Sequence, residues 1–171
     1  TQSPKVAFSY LEKVQVKTNT AGFSGAPGWF LQTTHVDGQI EWVGVQMDQT
    51  AMPIMLGWRL WQAGILTDAE ITQWYQQMLK PAADFLVQGG KVKIDWNDSE
   101  IIPPSTQQER WEEQAGYSPS TMAAIISGLV TASEIAAKAG DSEAQQRYAS
   151  AADRFAADLE KLTFTTQGKL K

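Results

Sequence analysis

The stretch QTAMPIMLGWRLWQAG, Gln49 to Gly64, restricts the possible folds of this chain more than any other. It is apolar on nearly every side, and a helix apolar all round has to be buried all round. Pro53 sits near its start, where a missing N–H does least damage, and Gly64 ends it. The next segment is different in kind. In Leu66-Thr67-Asp68-Ala69-Glu70-Ile71, Thr67 and Glu70 form a capping box, and Leu66 and Ile71 are spaced as a hydrophobic staple. The helix predicted over 68–88 is amphipathic, with a kink expected at Pro81. A buried helix (49–63) joined by a short turn to a half-exposed one predicts an αα-hairpin with an inner and an outer member.

The same order returns later. Ser118-Pro119 starts a helix predicted over 119–139, in which Met122, Ile125, Ile126 and Leu129 share a face and Gly140 is the stop. Ala123, Ala124, Ser127, Gly128, Ala132 and Ala136 would let a neighbour approach it closely. Asp141-Ser142 opens a helix over 142–162 with a single apolar stripe of Tyr148, Ala152, Phe155, Leu159 and Leu162. Near the start, Ser3-Pro4 begins another helix, marked by Ala7, Tyr10, Leu11 and Val14. Successive hairpins of unequal burial predict a layered, all-α architecture. No repeat of roughly 20–50 residues is evident, which argues against a solenoid of near-identical units.

Two long segments separate these helices. Residues 18–38, TNTAGFSGAPGWFLQTTHVDG, read as a long loop, followed by GQIEWVGV as a short strand or extended chain. KVKIDWNDSEIIPPSTQQ, residues 91–108, reads as a second irregular stretch whose end is fixed by Pro103-Pro104. Long loops inside compact domains are usually functional. Both follow an outer helix and enter an inner one, so both are expected on one side of the molecule.

Composition excludes several classes of function. The chain has 171 residues, the size of one domain, and its 43 % apolar and 19 % charged content suits a globular protein. Net charge is −5 with no lysine/arginine cluster, so no nucleic-acid or other polyanionic partner is expected. There is no cysteine, which excludes disulfides and thiolate metal sites. His35 is the single histidine, so a histidine-rich zinc site is impossible within this chain, and His35 reads as a loop or packing residue. No apolar run approaches the roughly 20 residues of a membrane span, and the N-terminus lacks a signal-peptide pattern, so no membrane partner is expected either.

What remains are tryptophans beside acids. Glu41-Trp42 closes the first loop, and QERWEEQAGYSPST, Gln108 to Thr121, carries Glu109, Trp111, Glu112 and Glu113 just before an inner helix. An indole packs well on a pyranose face, and apolar cover raises a carboxyl pKa until it can donate a proton near neutral pH. Glu112 and Glu113 are consecutive and diverge from one backbone. They cannot flank a scissile bond from opposite sides, as the two carboxylates of an inverting glycosidase must, roughly 6.5–9.5 Å apart. A second carboxylate has to come from elsewhere. Glu41, Asp48, Asp95 and Asp98 are the loop candidates in this chain, and no context favours one.

With these residues in view, the chain resembles the glucoamylase family, glycoside hydrolase family 15, in its bacterial branch. QERWEEQAGYSPST resembles that family's acid-bearing segment, WVGVQMDQTAMPIMLGWRLW an earlier one, and MLKPAADFLVQGG the outer helix between them. The resemblance covers about residues 5 to 163 and implies part of an (α/α)6 toroid, residues 1–171 forming a partial catalytic domain with no second domain. It implies Glu112 as the general acid, Glu113 as a binder of the non-reducing-end glucose, and Trp111 as packing at the reacting subsite. Glu109 would assist the site electrostatically. Trp42 would stack near the scissile bond, and Asp48 would be structural. The activity implied is inverting, exo-acting release of β-glucose from starch or maltooligosaccharides, with no metal or organic cofactor. A secreted or periplasmic location is implied rather than a cytoplasmic one.

The family's general base is a glutamate in a later segment, and nothing after Gly140 resembles it. Its upstream Arg-Asp glucose clamp is also missing. The partners implied are therefore an α-glucan and the remainder of the same catalytic domain. The alternatives are a non-catalytic carbohydrate-binding or regulatory helical module, or a family member acting on dextran, isomaltose or trehalose linkages.

Overall fold

The computed structural model describes residues 3–111 and 114–164. Helix α1 (Ser3–Val14) leads into a loop with the short strands β1 (Ser24–Gly25), β2 (Thr33–Thr34) and β3 (Ile40–Trp42). Helix α2 (Met47–Gln62) follows, then α3 (Asp68–Trp74), a π-helical turn (Tyr75–Leu79) and α4 (Lys80–Gln88). Strands β4 (Gly90–Ile94) and β5 (Asn97–Ile101) precede α5 (Pro119–Lys138) and α6 (Ser142–Thr163).

The hairpins form as their caps dictate. Thr67 N–H donates to Glu70 Oε2 at 2.8 Å and Glu70 N–H to Thr67 Oγ1 at 3.2 Å, completing the capping box. The staple residues Leu66 and Ile71 are both buried. Asp141 caps α6 by accepting from Ala144 N–H at 3.1 Å, just after Gly140 turns the chain with φ 75°. Ser118 stands at the N-cap of α5, but its side chain makes no capping bond. The kink expected at Pro81 takes the form of the π turn. Proline has no N–H to offer the preceding turn, and the ladder widens there, with Lys80 N–H reaching back to Tyr75 C=O.

Helices α2 and α5 pack directly on each other; α3, the π turn and α4 pack against α2 and also reach α5, and α6 packs against α5 and touches α4. Gly128 of α5 sets the closeness of the inner pair. A Cβ there would lie 2.9 Å from Ala51 Cβ, so the two backbones touch where both residues are small. Trp58 Nε1 donates to Glu134 Oε2 at 2.7 Å, a second tie between α2 and α5. The outer layer is tied separately. Tyr75 OH donates to Asp141 Oδ2 at 2.9 Å, Lys80 pairs with the same carboxylate, and Tyr148 OH donates to Asp84 Oδ1 at 2.7 Å. With the Lys80 ammonium beside it, and with Ala144 N–H and Tyr75 OH donating to it, the Asp141 carboxyl is held down to about 2. Burial foremost, and then the bond to Asp141, pushes the Tyr75 phenol well above its ordinary value.

Several expectations need correction. Helix α2 is not buried all round within this chain: Met52 and Leu56 are exposed. Together with Leu11, Val14, Phe30 and Leu31 they line an apolar cleft of about 620 Å³ on its flank. In α1 Val14 is buried as expected, but the other buried residue is Phe8, while Ala7 is exposed. Residues 18–38 are not simply loop: Trp29, Phe30 and Leu31 are buried, and Val16 N–H donates to Trp29 C=O at 2.8 Å as the chain doubles back beside residues 14–16. Residues 91–108 are not simply irregular either, since β4 and β5 form an antiparallel hairpin paired from Gly90↔Ile101 to Ile94↔Asn97. Strand β1 adds to the edge of β4, and Gly25 is required there: it has φ 123°, and a Cβ would fall 2.0 Å from Lys91 C=O. The all-α reading therefore holds for the hairpin scaffold but not for the connecting segments. Helix α5 is long and apolar enough to cross a membrane by length and composition, contrary to the expectation that no stretch would be. Its apolarity goes with its packing against α2, α6 and the α3–α4 unit.

Candidate active site

The two segments expected to converge do so at the N-terminal end of α2. Strand β3 ends at Trp42, and the buried run Val43–Gln46 leads into the helix. Residues 106–108 run alongside it. Met47 N–H donates to Thr106 Oγ1 at 3.1 Å, Val45 N–H to Gln107 Oε1 at 2.9 Å, and Gln108 N–H to Val45 C=O at 3.1 Å. Three consecutive residues thus satisfy backbone groups that would otherwise be buried without partners at a helix entrance.

Asn97, the first residue of β5, locks the hairpin to both segments. It is 1 % exposed, and its Nδ2 donates to Val43 C=O at 2.7 Å and to Gln107 Oε1 at 2.8 Å. Its Oδ1 accepts from Gln107 Nε2 at 3.0 Å and from Ser99 Oγ at 2.7 Å. The amide is used on all sides, so the hairpin tip has no freedom to slide relative to the loops.

On this base stand the aromatics. Trp42, 37 % exposed, donates its indole N–H to Gln108 Oε1 at 3.0 Å. Its ring lies 4.7 Å, centroid to centroid, from that of Trp96, tilted by 53°. Trp96 occupies the hairpin turn beside Asp95, which adopts φ 51°, and is 48 % exposed. Trp111 is 75 % exposed.

The loop that carries Trp111 is held from inside. Thr106 and Gly116 exchange backbone hydrogen bonds at 2.9 Å, and Glu109 N–H donates to Gln114 C=O at 2.9 Å. Glu109 is buried; its Oε1 accepts from Trp111 N–H at 2.7 Å, and its C=O accepts from Gln46 Nε2 at 3.2 Å. Its carboxylate therefore braces the loop from below. Glu112 and Glu113 lie outside the described residues, between the tied positions Trp111 and Gln114.

The other acids fall elsewhere. Asp48 is buried in the first turn of α2 and accepts from Gln49 N–H at 3.0 Å. Glu41 is exposed on β3, and Asp98 pairs with Lys93 at 3.4 Å on the hairpin. His35 lies exposed in the turn between β2 and β3, where its C=O accepts from Tyr10 OH at 3.0 Å. Residue-by-residue reading missed Asn97, Thr106, Gln107, Gln108 and Trp96. Trp96 is the one with a signal in the sequence: a tryptophan in the short link after KVKI, which alternates, and before the polar NDSE.

The arrangement is a set of helix hairpins whose connecting segments meet at one end, around exposed indoles beside an acidic loop. Comparison with known proteins gives that arrangement a family. The model of glycosyl hydrolases family 15 matches residues 7–170, and the chain belongs to that family. It is 36 % identical over 165 residues to a glucoamylase of Clostridium sp. (strain G0005), a match covering 96 % of this chain and 19 % of that protein. A crystal structure of a bacterial glucoamylase complexed with acarbose superposes with a TM-score of 0.74 at 36 % identity, covering 98 % of this chain and 20 % of that one. The chain spans about a fifth of the length of the relatives it matches.

Proposed function

We propose that this chain is the acid-bearing part of an inverting, exo-acting α-glucoside hydrolase that releases β-glucose from the non-reducing ends of starch-type glucans. The observation that carries the reading is the Trp42–Gln108 hydrogen bond. It ties an exposed indole from the first segment to the loop in which Trp111, Glu112 and Glu113 follow one another. Family membership and the glucoamylases among its relatives support the same reading.

In this mechanism Glu112 protonates the departing glycosidic oxygen while a glutamate elsewhere in the protein activates water on the opposite face of the sugar. Glu113 accepts hydrogen bonds from glucose hydroxyls. Trp111 and Trp42 offer faces on which the ring packs, excluding water and favouring the neutral form of the acid. Glu109 acts from below: its carboxylate keeps the loop in shape through Trp111 N–H. No step in this scheme calls on a metal or an organic cofactor.

The hairpins α2 with α3–α4 and α5 with α6 are two of the six of an (α/α)6 toroid, and residues 1–171 form part of its catalytic domain. The exposed flank of α2, with Met52 and Leu56, supports this reading: it is the kind of surface that a neighbouring inner helix covers. The rest of the toroid supplies the glucose clamp and the base.

Proton NMR of maltooligosaccharide hydrolysis by the protein that carries this chain is the test. The β-anomer of glucose should appear first and mutarotate afterwards. An initial α-anomer would overturn inversion, and no glucose would overturn the glucosidase reading. Glu112→Gln should abolish turnover while leaving acarbose binding nearly intact; normal turnover by that variant would show that the acid has been misassigned.

A further inference from the structure

Trp96 has no part in the mechanism above, yet the hairpin places it with care. A half-exposed tryptophan in a two-residue turn is an expensive choice for solubility, and turn geometry itself asks for small or polar residues there. The neighbouring Asn97 is buried and spends its whole amide on fixing that turn against Val43 and Gln107, one residue from each of the two segments that build the site. The result is that the Trp96 ring stands 4.7 Å from the Trp42 ring with about half of its own surface open. Trp42 is bonded directly to the acid loop through Gln108, and the Trp96 ring stands against that of Trp42. Trp96 thus adds a second open indole beside the one that is bonded to the acid loop.

We infer that Trp96 is a substrate-contacting residue that sets chain-length preference: its open face stacks a glucosyl ring of the glucan beyond the unit packed at Trp42. The inference rests on the glucosidase reading. The tilt of 53° between the indoles makes the pair an angled wall, which suits two successive sugar rings that are not coplanar better than one flat disaccharide. Indole faces are favourable for this because they bury a large apolar area without immobilising a flexible side chain.

The experiment compares kcat/KM for maltose and for maltoheptaose in the full protein, wild type against Trp96→Ala and Trp96→Phe. Trp96→Ala should lower kcat/KM for maltoheptaose by roughly three- to tenfold, the scale of a single aromatic stacking contact, with maltose little changed. Trp96→Phe should recover most of the loss. The turn is surface-exposed, so both variants should melt close to the wild-type temperature. An equal loss on both substrates would mean that Trp96 merely shores up Trp42, and would overturn the inference. So would no loss on either substrate. A wild-type protein that hydrolyses neither substrate would instead overturn the glucosidase reading, and this inference with it.

Discussion

Trp42 and Gln108 meet across 66 residues of sequence, indole N–H to side-chain oxygen at 3.0 Å, and Gly44 makes room for the meeting. A Cβ at residue 44 would fall 1.9 Å from Gln108 Oε1 and 2.8 Å from Trp42 Nε1. What it would meet first is the end of a flexible side chain, which can swing away at little cost to the fold. Gly44→Ala should therefore fold but lose the Trp42–Gln108 bond. We expect stability to change by less than about 1 kcal/mol, while kcat/KM on maltooligosaccharides falls about five- to tenfold, the worth of one hydrogen bond holding a substrate-facing ring. Gln108→Ala should reproduce the kinetic effect. Thermal melts beside steady-state kinetics separate the two effects. Unchanged kcat/KM in both variants would mean that the indole needs no such anchor.

Asn97 should behave in the opposite way, with stability lost first. Asn97→Ala removes an amide that is 1 % exposed and leaves Val43 C=O and the Gln107 side chain without those partners. A loss of about 2–4 kcal/mol is expected, given that stranded buried polar groups cost more than the bonds they made. Asn97→Asp should be no better, because a carboxylate cannot donate to Val43 C=O. Urea denaturation measures both. A change of under about 0.5 kcal/mol, the range of an ordinary surface substitution, would mean that water replaces the amide.

These two cases also mark how far the sequence could be read. The scaffold was legible because its signals are local. Thr67 and Glu70 form the capping box that their spacing announces, and Gly140 turns the chain where α5 stops. Gly128 was readable as a place of close approach, though not the fact that Ala51 is what it approaches. The hairpin at 90–101 was missed because its strands are largely polar and its turn, Asp95-Trp96, lacks the glycine that usually marks one. Which residues of α2 are left open, Met52 and Leu56, was also out of reach. Periodicity reports that a face wants cover, not whether this chain supplies it. At the site, Trp42, Trp111 and the acids drew notice by residue type, whereas Asn97 and Gln107 matter only through partners far along the chain. No short motif records that.

Acid should loosen the outer layer through Asp141. Its carboxyl is held down to about 2 from an ordinary 3.8, first by Lys80 and then by Ala144 N–H and Tyr75 OH. A carboxyl whose pKa is lower in the folded state stabilises the fold at every pH above its unfolded value. That contribution is then lost as pH falls from about 4 towards about 2. Asp141→Asn keeps an oxygen to cap α6 but abolishes the charge that faces Lys80. The variant should melt at a lower temperature than wild type at neutral pH, and the gap should narrow as pH falls through that window. Melting curves at a series of pH values test this, and a gap that stays constant down to pH 2 would remove Asp141 as the origin. Glu70, held to about 2 mainly by Lys5, should titrate over an overlapping range, so the comparison has to be made within the Asp141 pair of proteins.

Gly128 and Ala51 are the point of close approach between α5 and α2. With only 2.9 Å between Ala51 Cβ and the position a Cβ would take at residue 128, a branched side chain there cannot be taken up by a rotamer change. Gly128→Val should push the helices apart at a cost of about 1–3 kcal/mol. Gly128→Ala pits the same contact against the roughly 1 kcal/mol that alanine gains over glycine within a helix. The double variant Gly128→Ala with Ala51→Gly moves the one methyl across the interface and should be more stable than the sum of its two single changes. A double-mutant cycle in urea reads that coupling directly, and residues in contact typically show about 0.5 kcal/mol or more, the least that would support a shared constraint. Simple additivity would mean that the inner helices are held by their other contacts.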